Sequence, residues 1–120
     1  MHVLGSAVIA SGGTTSAALE VPGGGYELCA VNIPTLDSAT VTFQVSHDGG
    51  TTYRAIHSNA AGAASAILTL GTADTGAKAT AVPDTIRFAT VGASHIKVVA
   101  GAAQNGGART IVCVFRKVPG

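Results

Sequence analysis

The chain has 120 residues, enough for one domain that buries a core of its own. Charged residues make up only 11% of it and the formal net charge is +1, so the sequence offers no basic field for nucleic acid or an acidic membrane surface. Hydrophobic residues amount to 47%, but 22 of those residues are Ala and there is no Trp. We therefore expect a weakly stabilised, Ala-rich core that gains stability from neighbouring subunits. No segment approaches the roughly 20 apolar residues that cross a bilayer, and no membrane partner is expected.

Short runs of alternating apolar and polar residues, separated by Gly, Pro or Asp, predict nine strands. In chain order, these are Val3–Ala10, Ser16–Val21, Tyr26–Ile33, Thr40–Ser46, Thr52–His57, Ala66–Leu70, Thr85–Thr90, His95–Ala100 and Arg109–Val118. No stretch has helical spacing. Such strands are typical of an all-β, antiparallel β-sandwich, and a jelly roll is the expected form. The sequence thus predicts one domain over residues 1–120, with residues 1–11 as a candidate extended N-terminal arm.

Three segments are candidate contact regions for a partner because of their composition and position. They are the arm Met1–Ser11 and the connections Asn59–Ala64 and Gly71–Asp84. The second connection is long for a compact domain, and loops of that length commonly carry function.

The segment from Ala39 to His57, ATVTFQVSHDGGTTYRAIH, predicts a β-hairpin. Apolar residues alternate with polar ones up to Ser46, so one face of this strand is apolar and the other is polar. Asp48-Gly49-Gly50 follows and predicts a reversal, because Gly accepts a positive φ without steric cost.

This hairpin, inside a short chain rich in Ala, Gly and Thr, resembles small virion proteins of tailed bacteriophages. The segment SHIKVVAGAAQNGGARTIVCVF, which begins at Ser94, is similar to the closing pair of strands in that family. The resemblance implies a capsid decoration (cement) protein that binds an assembled shell of the major capsid protein. Its location would be the virion, assembled in the host cytoplasm. A neck or tail component is the nearest alternative, and a carbohydrate-binding or adhesin module is the alternative from another class.

The last predicted strand is apolar on both faces. Its residues from Ile111 to Phe115 alternate between two sides, and Val112 and Val114 make the second side as apolar as the first. An outer sheet surface normally carries polar residues, so either a second sheet or another subunit covers this side. Val99 repeats the pattern one strand earlier. We therefore take Val112, Val114 and Val99 as the candidate interface residues of a homo-oligomer.

The pattern of reactive residues does not favour chemistry. The six carboxylates are scattered singly, so no acid pair is predicted. Ser46-His47-Asp48 and Ser94-His95 contain nucleophile and base types, but adjacent side chains on a strand point to opposite faces. The four histidines lack the close-spaced pairs of a structural zinc site. The sequence therefore predicts no enzyme, no cofactor and no metal.

The two remaining observations concern ligands and thiols. Only five aromatic residues are present, which disfavours a sugar-binding platform or a groove for single-stranded nucleic acid. Cys29 and Cys113 each lie in an apolar strand-like run, which favours two buried thiols in a reducing compartment over a disulfide.

Overall fold

The computed structural model of the chain describes residues 2–23, 25–37, 39–56, 69–74, 78–82 and 84–118. The strands are β1 (His2–Ile9), β2 (Leu19–Glu20), β3 (Tyr26–Ile33), β4 (Ala39–Ser46), β5 (Arg54–Ala55), β6 (Thr69–Asp74), β7 (Lys78–Ala81), β8 (His95–Ala100) and β9 (Arg109–Lys117). Within these described ranges there is a single helix, α1 (Asp84–Thr90).

The strands form two antiparallel sheets packed face to face, which confirms the predicted β-sandwich. The front sheet has the order β1-β9-β3-β7, and the back sheet has the order β2-β8-β4-β5 with β6 also paired to β4. The pairing is nested along the chain: β1 pairs with β9, β2 with β8, β3 with β7 and β4 with β5. The strands of the first half of the chain therefore pair with strands of the second half in reverse order.

The core lies between the sheets and consists mainly of branched and aromatic side chains. In β9 and β8, alternate residues are fully buried, as the period of two requires. The buried hydrophobic residues of the described chain include only three alanines, Ala7, Ala93 and Ala100, while Phe43 and Phe115 are the largest buried side chains. The core formed by the described residues is therefore not Ala-rich, contrary to the expectation from composition.

The predicted strand Thr85–Thr90 was also wrong, because this segment is helix α1. Ile86 and Thr90, four residues apart, are both fully buried, which is the spacing of one helical face. The Thr90 hydroxyl accepts a hydrogen bond from the backbone N–H of Leu28 at 3.0 Å. It also donates to the carbonyl of Arg87 at 2.6 Å. The helix thereby packs against β3 near Leu28, which lies outside the part of β3 that pairs with β7.

Several strand boundaries differ from the prediction. Strand β7 lies inside the segment predicted as the loop Gly71–Asp84, where it pairs with residues Ala30–Ile33 of β3. Strands β2 and β5 have two residues each and are shorter than predicted. Strand β6 begins at Thr69 and continues to Asp74. The predicted loop Asn59–Ala64, His57 and residues 66–68 lie outside the described residues.

The candidate N-terminal arm lies within the front sheet. Residues His2–Ile9 form β1, which pairs with β9 along its whole length from His2↔Arg116 to Ile9↔Arg109. These residues are therefore part of the sandwich itself.

Candidate interaction surface

The outer surface of the front sheet carries adjacent rows of uncharged side chains. The strand register places Leu4, Val114, Ala30 and Ala81 in one row across all four strands. The next rows contain Ser6, Val112, Asn32 and Ala79, and then Val8 and Thr110. We term the residues of these three rows the apolar face.

Two residues of the apolar face are strongly exposed for their type. Leu4 is 66% exposed and Val8 is 41% exposed, whereas Val112 and Val114 on the central strand β9 are half-buried. The outer side of an antiparallel sheet is normally polar, and exposed apolar patches mark contact sites. The cores of protein interfaces are also depleted of charge. The apolar face is therefore the best candidate for a protein contact.

One end of the apolar face is bordered by an ion-pair network around the buried carboxylate of Glu27. The Glu27 side chain is only 3% exposed, and the Arg116 Nε–H donates to its Oε1 at 2.8 Å. Nε of Arg87, on helix α1, lies 3.5 Å from the same oxygen. A buried carboxylate needs positively charged partners, and these come from β9 and α1. The network therefore links both elements to β3.

The structure separates Val99 from the two β9 valines. Val99 lies on β8 in the back sheet, opposite Thr42, and its outward neighbours on β8 are His95 and Lys97. The Lys97 ammonium lies 4.2 Å from the centre of the Tyr53 ring. Val99 is therefore a single half-buried valine on a polar surface, on the opposite side of the sandwich from the apolar face.

Leu4 and Val8 lie in the candidate contact segment Met1–Ser11, but the sequence did not single out either residue individually. The sequence did predict a strand over Val3–Ala10, but it did not indicate which strand lies beside it. Only the pairing of β1 with β9 places these two side chains in the rows of Val114 and Thr110. The signal present in the sequence was the pair of large apolar residues on one side of the strand, flanking Ser6.

The predicted turn at Asp48-Gly49-Gly50 is confirmed, and its own hydrogen bonds fix it. The Ser46 hydroxyl donates to Oδ1 of Asp48 at 2.8 Å and accepts from the N–H of Gly50 at 2.9 Å. The N–H of Thr52 donates to Asp48 Oδ1 at 2.8 Å, and this bond, with those from side chains, lowers the pKa of Asp48 to about 2. Gly49 and Gly50 have φ values of 77° and 89°. The Ser46 hydroxyl and the Asp48 carboxylate therefore stabilise the turn.

A cleft of about 440 Å³ lies between the β2–β3 connection and the connection from α1 to β8. Glu20, Tyr26 and His95 line it, and Glu20 and His95 are opposite each other in the strand register. Nδ1 of His95 is buried and has no hydrogen-bond partner within the described residues.

The two cysteines are free thiols on neighbouring strands of the front sheet, Cys29 on β3 and Cys113 on β9. Cys113 is buried in the core, and burial raises its pKa to about 12. Cys29 lies at the irregularity between Leu28 and Ala30, is only half-buried, and donates its thiol hydrogen to the Val114 carbonyl at 3.3 Å. Two thiols are thus confirmed, but only one of them is buried.

Over the described ranges, no group of three or more His, Cys, Asp or Glu residues is arranged to hold a metal ion. The same part of the chain contains no helix that is long and apolar enough to cross a membrane.

Comparison with known proteins gave no family model, no curated protein and no solved structure that matches the chain.

Proposed function

We propose that the protein is a structural virion subunit of a tailed bacteriophage, a capsid decoration (cement) protein. It binds the assembled shell of the major capsid protein through the apolar face. The observation that carries the binding mode is the apolar face on the outer side of the front sheet, with Leu4 and Val8 exposed beside Val112 and Val114. The assignment to a virion depends on the resemblance of the Ala39–His57 hairpin and of the last two strands to phage virion proteins.

The mechanism is burial of surface against an assembled shell. Burying apolar area is worth about 25 cal/mol per Å², so even a few aliphatic side chains of this face contribute usefully at each contact. Strand β9 is paired on both sides, which holds Val112 and Val114 in a fixed position before binding. A protein that binds only the assembled shell stabilises that shell by mass action.

The nested strand pairing supports the jelly-roll form of the sandwich. The orders β1-β9-β3-β7 and β2-β8-β4-β5 are those of a single ribbon wound over two sheets, with β6 as an addition beside β4. Jelly rolls occur in viral capsid proteins and in lectins. The fold is therefore compatible with the decoration function and with the carbohydrate-binding alternative.

The cleft beside Tyr26 favours carbohydrate binding as the second candidate function. Glu20 and His95 supply polar groups next to the aromatic ring, which is the combination that sugars use. A neck or tail component, the remaining alternative, would use the same apolar face on a different assembly.

The test compares one substitution on the two opposite outer surfaces. Val114→Glu places a charge in the apolar face, and Val99→Glu makes the same change on the back sheet, also at a half-buried valine. Both variants and the wild-type chain are mixed with expanded heads of the cognate phage and sedimented, after circular dichroism and thermal unfolding have verified the fold. We expect the wild type and Val99→Glu to sediment with heads and to raise the temperature at which heads break, and Val114→Glu to lose both effects.

Two results would contradict the proposal. If both variants bind heads equally, the apolar face is not the contact. If the wild-type chain ignores heads but binds isolated tails, or binds a glycan in an array, then the tail or the carbohydrate alternative replaces it.

A further inference from the structure

Strand β1 is a long edge strand of the front sheet, and within the described residues only Ala17 hydrogen-bonds to its outer side. It has eight residues, whereas the other strands that end the sheet orders, β7, β2 and β5, have four, two and two. Its sequence, HVLGSAVI, contains no Lys, Arg, Asp, Glu or Pro. Proteins usually protect a long edge with such residues or with a bulge, because an unpaired edge is a template for another strand. This edge is therefore suited to pairing.

The direction of the free backbone groups follows from one hydrogen bond. The carbonyl of Val8 accepts from the N–H of Ala17 at 3.2 Å. Both groups of a residue in an antiparallel strand point to the same side, and this side alternates along the strand. His2, Leu4 and Ser6 therefore also direct their N–H and C=O groups away from β9. No hydrogen bond within the described part of the chain uses these outward groups.

We propose that two copies of this chain pair antiparallel through the edges of β1, around a two-fold axis at Leu4. Ala17 occupies the edge at Val8, so pairing extends only over His2–Ser6. The symmetric register that pairs all three outward residues places Leu4 opposite Leu4 of the second copy, and His2 opposite Ser6. If the register between the two strands shifted by one residue, the backbone groups facing the second copy would be those that already bond to β9. If it shifted toward Val8, the second copy would collide with the segment at Ala17.

A second copy of the chain is the partner at this edge because β1 is complementary to itself. An uncharged strand places no like charges opposite each other when it pairs with its own copy. The pairing also brings together the two Leu4 side chains, the most exposed large hydrophobic side chains of the described residues. The axis is perpendicular to the sheet, so both apolar faces end up on the same side of one continuous sheet. If the proposed function is correct, the pairing doubles the surface that each particle offers to a shell.

A cysteine cross-link tests the register directly and does not require shells. Leu4→Cys places two thiols across a hydrogen-bonded pair, where the Cα atoms are about 5.5 Å apart, within the range for a disulfide. Val8→Cys is the matched control, since it lies on the same strand and side and is also exposed. In this register its two copies are about 27 Å apart. After mild oxidation, we expect a covalent dimer from Leu4→Cys, and from Val8→Cys only the level that Cys29 and Cys113 give in the wild type.

A second pair of variants tests the edge without a cross-link. Ser6→Pro removes an outward N–H at an edge position where Pro is tolerated, and Ser6→Ala removes the side chain but keeps the N–H. By analytical ultracentrifugation, we expect wild type and Ser6→Ala to dimerise reversibly, and the dimer Kd of Ser6→Pro to rise by about ten-fold or more. Circular dichroism verifies that Ser6→Pro is folded.

Three results would overturn this pairing: a wild-type chain that is monomeric at every concentration, equal cross-linking of both cysteine variants, or a folded Ser6→Pro variant that dimerises normally. None of them bears on shell binding by Val114, so the failure of this proposal and the failure of the proposed function are distinguishable.

Discussion

The turn after β4 allows a prediction that separates backbone strain from side-chain crowding. Gly49 and Gly50 both have a positive φ, at 77° and 89°, so any other residue is strained at either position. A Cβ atom at Gly49 would meet no heavy atom within 4 Å. A Cβ atom at Gly50 would lie 3.3 Å from Nδ1 of His95 and 3.3 Å from the Tyr53 hydroxyl oxygen. Substitution of either glycine therefore costs backbone strain, and only substitution of Gly50 also crowds neighbouring side chains.

The magnitudes follow from these two costs. The left-handed conformation costs a non-glycine residue about 1–2 kcal/mol, so Gly49→Ala should lower the free energy of unfolding by that amount. At Gly50, two half-buried side chains must also move, which adds about 1 kcal/mol, the low end of the overpacking range. We therefore expect Gly50→Ala to lower the free energy of unfolding by about 2–3 kcal/mol.

Urea unfolding at one fixed protein concentration measures both variants, and an unchanged m-value allows the midpoints to be compared. Gly23→Ala is the control, because its φ is not positive and a Cβ there would meet nothing within 4 Å. This control should be close to neutral. The reasoning is refuted if Gly49→Ala is neutral as well, or if it costs more than Gly50→Ala.

Three further predictions concern ionisable groups and thiols. Hydrogen bonds lower the pKa of Asp48 to about 2 from its usual value of 3.8, so its stabilisation is present above the higher value and is lost as the pH falls through about 2. Between pH 5 and pH 2, the free energy of unfolding measured in urea should therefore fall less for Asp48→Asn than for wild type. An equal decrease for both proteins would contradict this. Glu27→Ala should lower the free energy of unfolding by about 1.5–3 kcal/mol, because it removes the charge-assisted hydrogen bond that the buried Glu27 carboxylate accepts from Arg116. Asp37→Ala should cost less in the same assay, because the Asp37 carboxylate is 38% exposed, and the reverse order would refute the argument. Alkylation without reductant, followed by mass spectrometry, should find both thiols free in denatured protein and Cys29 reacting faster than Cys113 in folded protein, because burial raises the pKa of Cys113 to about 12. A bridged peptide pair would contradict it.

The sequence by itself determined the elements that depend on local patterns. Strands β3 and β8 have the predicted bounds, and β4 and β9 differ from theirs by one residue at one end. The turn at Asp48-Gly49-Gly50 was predictable because its geometry depends on glycine and on a neighbouring short polar side chain. The alternation of apolar and polar residues also identified Val41, Phe43 and Val45 as the core face of β4.

Tertiary contacts decided the elements whose local signal is weak or ambiguous. In the segment 85–90, Ile86 and Thr90 fit both a strand and a short helix, since a helix of seven residues spans only two turns. The hydrogen bond from Leu28 to Thr90 and the burial of Ile86 select the helix. Strand β7, rich in Ala and Thr, exists because β3 offers an edge to pair with.

The candidate interaction surface shows the same division at the level of function. The doubly apolar pattern of the last strand was sufficient to single out Val112 and Val114. It could not show that Val99 lies on the opposite surface, or that Leu4 lies directly beside Val114. A strand pattern reports which residues of one strand share a side, whereas a surface is made by neighbouring strands that lie far apart along the chain. The register between β1, β9 and β3 is such a long-range property, and only the folded sandwich specifies it.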